Sequence, residues 1–584
     1  MKNSNFNRFP SVKPSKNYPV FVNWVPICQK IESEILLLNQ KKRIIAVEFY
    51  QGVLVEELIH QIATNIKHSL IINTYQLIWN PSKIEALVYP DVTSDRIFGY
   101  MTRLTIQDFF DPEKVFQAQQ SLNQISEGTI LILGPGAASI SENRSLLIYA
   151  DMARWEIQMR MRTHEIDSLG LHNRSVEDWM LLYKQGFFVD WRVLDKWKKK
   201  LFPEIDYFLD TNDRYRPKMV SADAVFDALS HTAKQPFSVV PFFDPAPWGG
   251  QWMKNNCNLD PDPSNYGWCF NCVPEENSLF IQLEEERIEI PSINLVFLHP
   301  VELLGDKVHA RFGDQFPIRF DYLDTVDGGN LSLQVHPLTE YIQEKFGIPY
   351  TQDESYYIFY AKENAKVFLG LKEAINPDEM LHDLYQAQQS DFHFETEKYV
   401  PAWPVKTHDH LLIPAGTVHC SGKDCMVLEI SATPYIFTFK MWDWGRLGLD
   451  GKPRPININH AAQVIQWDRV ESWTKNNLIN RIETLQTGDG WVEEKTGLHE
   501  REFIETRRFW FAKPVTVDMT DSVYVGCVIE GEEISIESPS HDFEPFVVHY
   551  AETFIIPAQV KHFTMKPSHH LTQNPCAVIL AFVR

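Results

Sequence analysis

The sequence predicts a multidomain protein, an α/β domain followed by a mainly-β module of two barrels. Three observations carry that expectation. Residues 43–59 form an apolar strand, a short turn and a helix, and buried-strand runs follow at 129–133 and 146–151. From about residue 235 the pattern changes to short alternating apolar and polar runs bounded by Pro and Gly. The length agrees, because 584 residues exceed what one core organises.

Taken in chain order, residues 1–29 are a polar leading segment and 30–215 the α/β domain. Residues 216–234 make a linker helix, with Ser221 as its cap. Pro241, Pro245 and Pro247 then break structure, which places the main boundary near 235. Residues 235–450 are the first barrel, and 451–584 a linker and a second barrel. The linker is marked by the turn-rich 448–453, and the second barrel by alternation from about Val523.

Composition narrows the function classes. Hydrophobic residues make up 44% and charged residues 23%, ordinary for a globular protein. A formal net charge of −22, spread along the chain, argues against nucleic-acid partners and anionic membrane surfaces. No apolar run approaches the ~20 residues of a membrane span, and residues 1–16 lack the apolar core of a secretory signal. Eight Cys in so long a chain do not form a disulfide framework, so a reducing cytoplasm is expected. Cys269-x-x-Cys272 and Cys420 with Cys425 raise a second metal site as an alternative to buried free thiols.

The chemistry concentrates in three segments. In Leu331-Ser332-Leu333-Gln334-Val335-His336-Pro337, Gln334 and His336 stand two apart, and a strand points such positions to one face. Glu354 opens the aromatic, β-prone run that continues through Tyr360. His419 follows an apolar strand and a tight turn at Pro414-Ala415-Gly416. Gln334, His336, Glu354 and His419 make an N2O2 donor set, which Zn²⁺ accepts. Fe²⁺, Mn²⁺ and Co²⁺ fit the same ligands. His562 lies in an echo of the His419 turn, Pro557-Ala558-Gln559-Val560-Lys561, without companion ligands.

These segments resemble the type I phosphomannose isomerases, which are zinc-dependent cupins. The similarity covers roughly residues 235–584 and includes Pro247-Trp248-Gly249-Gly250, the strand Phe316 to Asp324, and Val528-Ile529-Glu530-Gly531-Glu532. The resemblance implies a double-cupin fold, one Zn²⁺ per chain on Gln334, His336, Glu354 and His419, and interconversion of mannose 6-phosphate and fructose 6-phosphate. It also implies a small sugar phosphate as partner, with Lys440 and Arg446 as catalytic cations and Arg319 and Asp443 as substrate-binding groups. The surrounding shell departs from the family. Lys440 stands in Phe439-Lys440-Met441-Trp442-Asp443 where the bacterial branch carries an Arg, which keeps charge without the bidentate fork. Asp321 stands where a Lys is usual, with Arg319 two residues earlier on the same strand face. A non-catalytic sugar-phosphate-binding regulator is the alternative reading. The sequence singles out no general base.

The N-terminal frame resembles uridine-kinase-like P-loop kinases, but the loop is degenerate. Phe49 and Leu54 replace its glycines, and Val55 and Glu56 its Lys and metal-binding hydroxyl. Phosphate turnover by this region is not expected. The helix at 154–162 resembles a kinase lid, with Arg154, Arg160 and Arg162 as its basic residues.

Overall fold

A computed structural model describes residues 5–390, 392–432, 435, 437–448, 451, 454–497, 499, 501–568 and 575–584. Leu449, Asp450, Lys452 and Pro453, in the expected linker after the first barrel, lie outside the described residues. The chain divides into two compact units.

One unit comprises Val12–His231 together with Ser278–Leu298. Its seven-stranded sheet carries five parallel strands in the order Leu70–Asn73, Gly128–Gly134, Lys42–Phe49, Leu146–Asp151 and Tyr207–Asp210. Counted along the chain this order is 2-3-1-4-5, with the first strand at the centre. Lys218–Ser221 and Val20–Val22 extend the sheet antiparallel. The last six residues of Lys42–Phe49 and all of Leu146–Asp151 are buried. The apolar runs Ile44–Val47 and Leu146–Ala150 within them, without alternation, follow from burial on both faces. The expected strand–turn–helix forms, with the helix at Val55–Asn65. Ser278–Leu298, which the sequence places inside the first barrel, clusters with this unit as an antiparallel hairpin and a short helix.

Glu48, near the end of the central strand, is buried and accepts hydrogen bonds from the Gly136 and Ala138 amides, the latter at 3.0 Å. The Gly134–Gly136 turn that presents those amides needs φ values of +126° and +71° at its two glycines, a region open to Gly at little cost. A carboxylate of the chain itself therefore fills this amide nest.

The other unit comprises Met1–Ser11, Thr232–Asn277 and His299–Arg584, and is mainly β. Its first sheet pair has six strands in the order His410–Ile413, Asp353–Ala361, Cys425–Ala432, Arg319–Asp324, Trp268–Cys272 and Phe242–Asp244. Facing these are five, in the order Ala402–Pro404, Lys366–Leu369, His419–Ser421, Leu333–Val335 and Phe439–Trp442. The second sheet pair, of six and four strands, opens at Glu483, ahead of the Val523 start that alternation marks. A single apolar cluster fills it, including Phe509, Phe511, Val528, Ile534, Phe554 and Phe563. His562 sits on a strand of this pair, and among the described residues it joins no group of metal-ligating side chains.

Candidate metal centre

The expected metal ligands converge because register places them. In an antiparallel ladder, directly opposed residues share a face. Gln334 is opposed by His419 on one side and by Lys440 on the other. On the facing sheet, one row runs Arg319, Ser431, Glu354, Ile413, and the next runs Asp321, Glu429, Tyr356, Leu411. Glu354 thus projects from one sheet toward Gln334 and His419 on the other.

His336, Glu354 and His419 bring their ligating atoms within 4.8 Å of one another, and all three are buried. Glu354 Oε2 lies 3.1 Å from His336 Nε2, and Oε1 lies 2.8 Å from His419 Nε2. The Gln334 amide end lies 3.2 Å from His419 Nε2.

Backbone carbonyls settle the histidine tautomers. His336 Nδ1 donates to the Phe437 carbonyl at 2.7 Å, and His419 Nδ1 donates to the Thr417 carbonyl at 2.9 Å. A carbonyl only accepts, so each Nδ1 carries a proton and each Nε2 is turned inward toward Glu354, where it can hold a proton or face a cation. Glu354 presents acceptors only. His336 Nε2 and Glu354 Oε1 are buried without a hydrogen-bond partner. Lone pairs converging in a dry interior require a proton or a cation among them. Two imidazole nitrogens, a carboxylate and an amide suit a first-row divalent cation, and outer carbonyls that fix the rings are the usual support for such a site.

The electrostatics follow from this crowding. Burial opposes ionisation of Glu354, but His336 and His419 hold its carboxyl well below the usual range. Burial disfavours charge on His336, yet Glu354 and the Phe437 carbonyl raise it overall.

Local sequence explains the placement. Gly416 adopts φ +86°, and a Cβ there would come within 2.9 Å of the Val464 carbonyl oxygen, so only glycine fits the turn before His419. Arg469 grips that turn through the Pro414 and Ala415 carbonyls, each at 2.7 Å, and Asp353 accepts from the Ala415 amide at 2.7 Å. Gln352 donates to Glu354 at 3.1 Å and accepts from the Phe437 amide at 2.8 Å, which ties the carboxylate to the carbonyl that orients His336.

The expected substrate cations have other partners. Arg319 is buried, lies 3.3 Å from Asp321 and 4.0 Å from Glu276, and so pairs within a cluster of carboxylates. Arg446 pairs with Asp443 at 2.5 Å and donates to the Asn330 carbonyl at 2.5 Å. Asp443 is 3% exposed and also accepts from Arg454 at 2.8 Å. Only Lys440 directly faces a ligand residue across the ladder. Cys269 and Cys272 lie on one strand, and Cys420 and Cys425 on two others. All four are free and buried and, among the described residues, assemble no metal group.

Sequence reasoning missed Glu429. Burial, then the carboxylates of Glu354 and Asp321, push its carboxyl well above the ordinary range. Burial raises Asp321 to about 7, with Arg319 opposing and Glu276 and Glu354 adding to the rise. The signal was present, because Glu429 is the lone charge in the wholly buried strand Cys425–Ala432.

Fold and cluster define a mainly-β protein with a buried two-histidine, one-carboxylate centre between facing sheets. Sequence comparison gives the relatives. A Streptococcus mutans mannose-6-phosphate isomerase is 28% identical over 220 residues, covering 37% of this chain and 64% of that protein. A Bacillus subtilis protein provisionally named mannose-6-phosphate isomerase is 23% identical over 354 residues, covering 57% of this chain and 96% of that protein. The crystal structure of the Bacillus subtilis mannose 6-phosphate isomerase aligns with a TM-score of 0.48 at 21% identity, over 59% of this chain and 99% of that one. Residues 23–234 match a family model described as a domain of unknown function (DUF8485). Among the described residues no helix is long and apolar enough to cross a membrane.

Proposed function

We propose that this chain is an aldose–ketose isomerase that interconverts mannose 6-phosphate and fructose 6-phosphate, with one Zn²⁺ held by Gln334, His336, Glu354 and His419. The observation that carries the proposal is the convergence of His336 Nε2, His419 Nε2 and the Glu354 carboxylate, buried and within 4.8 Å of one another. Relatives carrying the isomerase name support the reaction class.

Moving a proton between C1 and C2 passes through an enediolate. Bound Zn²⁺ supplies Lewis-acid stabilisation of the oxygens on which negative charge develops. The chain's own groups supply the rest. Glu429 and Asp321 oppose each other on the face that carries Glu354, and burial raises both carboxyls above their ordinary range. Glu429 is the proposed general base, poised by burial to take up and return a proton. Lys440 is the proposed contact for an anionic substrate oxygen. Arg319 offsets part of the carboxylate charge.

The α/β unit is proposed to be a degenerate P-loop-kinase-like domain with a structural or regulatory role. Arg160, on its lid-like helix, donates to the Gly52, Thr211 and Asn212 carbonyls at 2.7, 2.8 and 2.9 Å, which leaves phosphate little of its guanidinium. Eight free, buried cysteines support a reducing cytoplasmic setting.

A second reading, a sugar-phosphate-binding regulator without turnover, is favoured by the ion pairs that engage Arg319 and Arg446. A coupled assay of mannose 6-phosphate conversion, run beside thermal-shift titration of both sugar phosphates, separates the two. Conversion supports the isomerase. A thermal shift without conversion at full metal occupancy replaces it with the regulator.

A further inference from the structure

The strand that carries Gln334 and leads to His336 is short. It spans Leu333–Val335, and its only register pair with the neighbouring His419 strand is Gln334 with His419. On its other side all three residues pair, but the register shifts by one residue. Leu333 opposes Trp442 and Gln334 opposes Lys440, so Met441 is an extra residue and forms a bulge beside the ligand. A bulge re-aims side chains but removes ladder hydrogen bonds. Gln334 therefore rides on, and His336 directly follows, a three-residue strand whose ladder is interrupted beside Gln334.

Side chains just past the bulge supply what the ladder lacks. Trp444 Nε1 donates to the Leu331 carbonyl at 2.6 Å, and Arg446 Nη1 donates to the Asn330 carbonyl at 2.5 Å. Ser332 Oγ donates to Asp443 Oδ1 at 2.7 Å and accepts from Arg454 Nη1 at 3.1 Å. Asp443 joins the pieces, with Oδ1 accepting from Arg446 at 2.5 Å and Oδ2 from Arg454 at 2.8 Å. Burial works against its charge, but Arg454 and Arg446 hold the carboxyl below its ordinary value. Three consecutive residues, Asn330 to Ser332, are thus gripped immediately before Gln334.

We infer that Asp443, Trp444, Arg446 and Arg454 form a clasp whose work is to position Gln334 and His336 for the metal, and that Asp443 and Arg446 act through this strand without touching substrate. The inference rests on the metal reading of the cluster. It separates Arg446 from Lys440, which faces Gln334 directly.

The test measures metal affinity and geometry on the full chain. Wild type and D443N are stripped, titrated with Zn²⁺ against a competing chelator, and separately loaded with Co²⁺ for visible spectroscopy. Asn keeps the side-chain shape but loses the charge that binds two guanidinium groups. D443N is expected to bind Zn²⁺ about 10- to 100-fold more weakly, the usual consequence of losing a supporting group. Its Co²⁺ spectrum is expected to change, while the melting point of the metal-free protein moves little. S332A removes two clasp hydrogen bonds and W444F one, and neither leaves a buried charge unpaired. They are expected to weaken Zn²⁺ in the same direction by less, and they serve as the test if D443N fails to fold. Wild-type affinity and an unchanged Co²⁺ spectrum in the folded variants overturn the clasp. Wild type that binds neither ion overturns the metal reading itself.

Discussion

Gln334 and His419 face each other directly across an antiparallel ladder, and the Gln334 amide end lies 3.2 Å from His419 Nε2. Ladder register alone brings together two residues 85 positions apart in the chain, and Glu354 completes the cluster from the facing sheet.

The carboxylate between the two histidines is the first target. Glu354→Gln keeps the shape and removes the negative charge that pairs with both rings. Metal affinity is expected to fall well beyond the roughly 10- to 100-fold typical of losing a supporting residue. Elemental analysis of dialysed protein checks this, and full occupancy in the variant refutes the ligand assignment.

In the proposed reaction Glu429 acts on turnover rather than on metal. Glu429→Gln is expected to lower kcat about 10²- to 10⁴-fold, the range for loss of a general base, with metal content unchanged. Steady-state kinetics beside elemental analysis distinguishes this outcome. A variant with wild-type kcat removes Glu429 from the chemistry.

Glu48 makes the α/β unit sensitive to pH. Burial raises its carboxyl to about 7, and the Ala138 and Gly136 amides and the Trp197 side chain only partly oppose the rise. The unfolded value is about 4.3, so the folded state binds the proton more tightly. Its stabilising contribution is complete below the unfolded pKa and is lost as pH rises to about 7, on the order of a few kcal/mol. Glu48→Gln cannot titrate, so wild type is expected to lose stability relative to the variant from pH 4.5 to pH 7. Denaturant unfolding across that range measures it, and a stability difference independent of pH contradicts the assignment.

The degenerate loop predicts silence toward ATP. Leu54 and Val55 crowd the turn, Glu56 and Glu57 stand in the first turn of its helix, and Glu48 fills the neighbouring amide nest. Full-length protein is expected to release no phosphate from ATP above background. Sustained hydrolysis sensitive to Leu54→Gly contradicts this.

Much of the buried His336–Glu354–His419 cluster was legible because its spacing is local. Gln334 and His336 stand two apart, and Gly416 precedes His419 in a turn that only glycine fits. The central strand of the α/β unit was legible from its unbroken apolar run. The shell around the metal was harder to read, because it depends on register between strands distant in sequence. Asp321 opposes Glu429 only once the strands pair, so neither carboxyl announces its environment. Arg446 showed a charge of the right sign, but the Asn330 carbonyl and Asp443 that engage it become neighbours only through the fold. The second sheet pair begins with Glu483–Gly488, whose residues are all exposed, and a strand without a buried face has no alternation to read.

The most direct test of the account is re-metallation. The protein is stripped with chelator, titrated with Zn²⁺, and assayed for conversion of mannose 6-phosphate to fructose 6-phosphate at each step. The account predicts no conversion in the stripped protein and a rate that rises with Zn²⁺ and saturates at one equivalent per chain. Full occupancy of one site without conversion, or conversion that persists in the stripped protein, contradicts it.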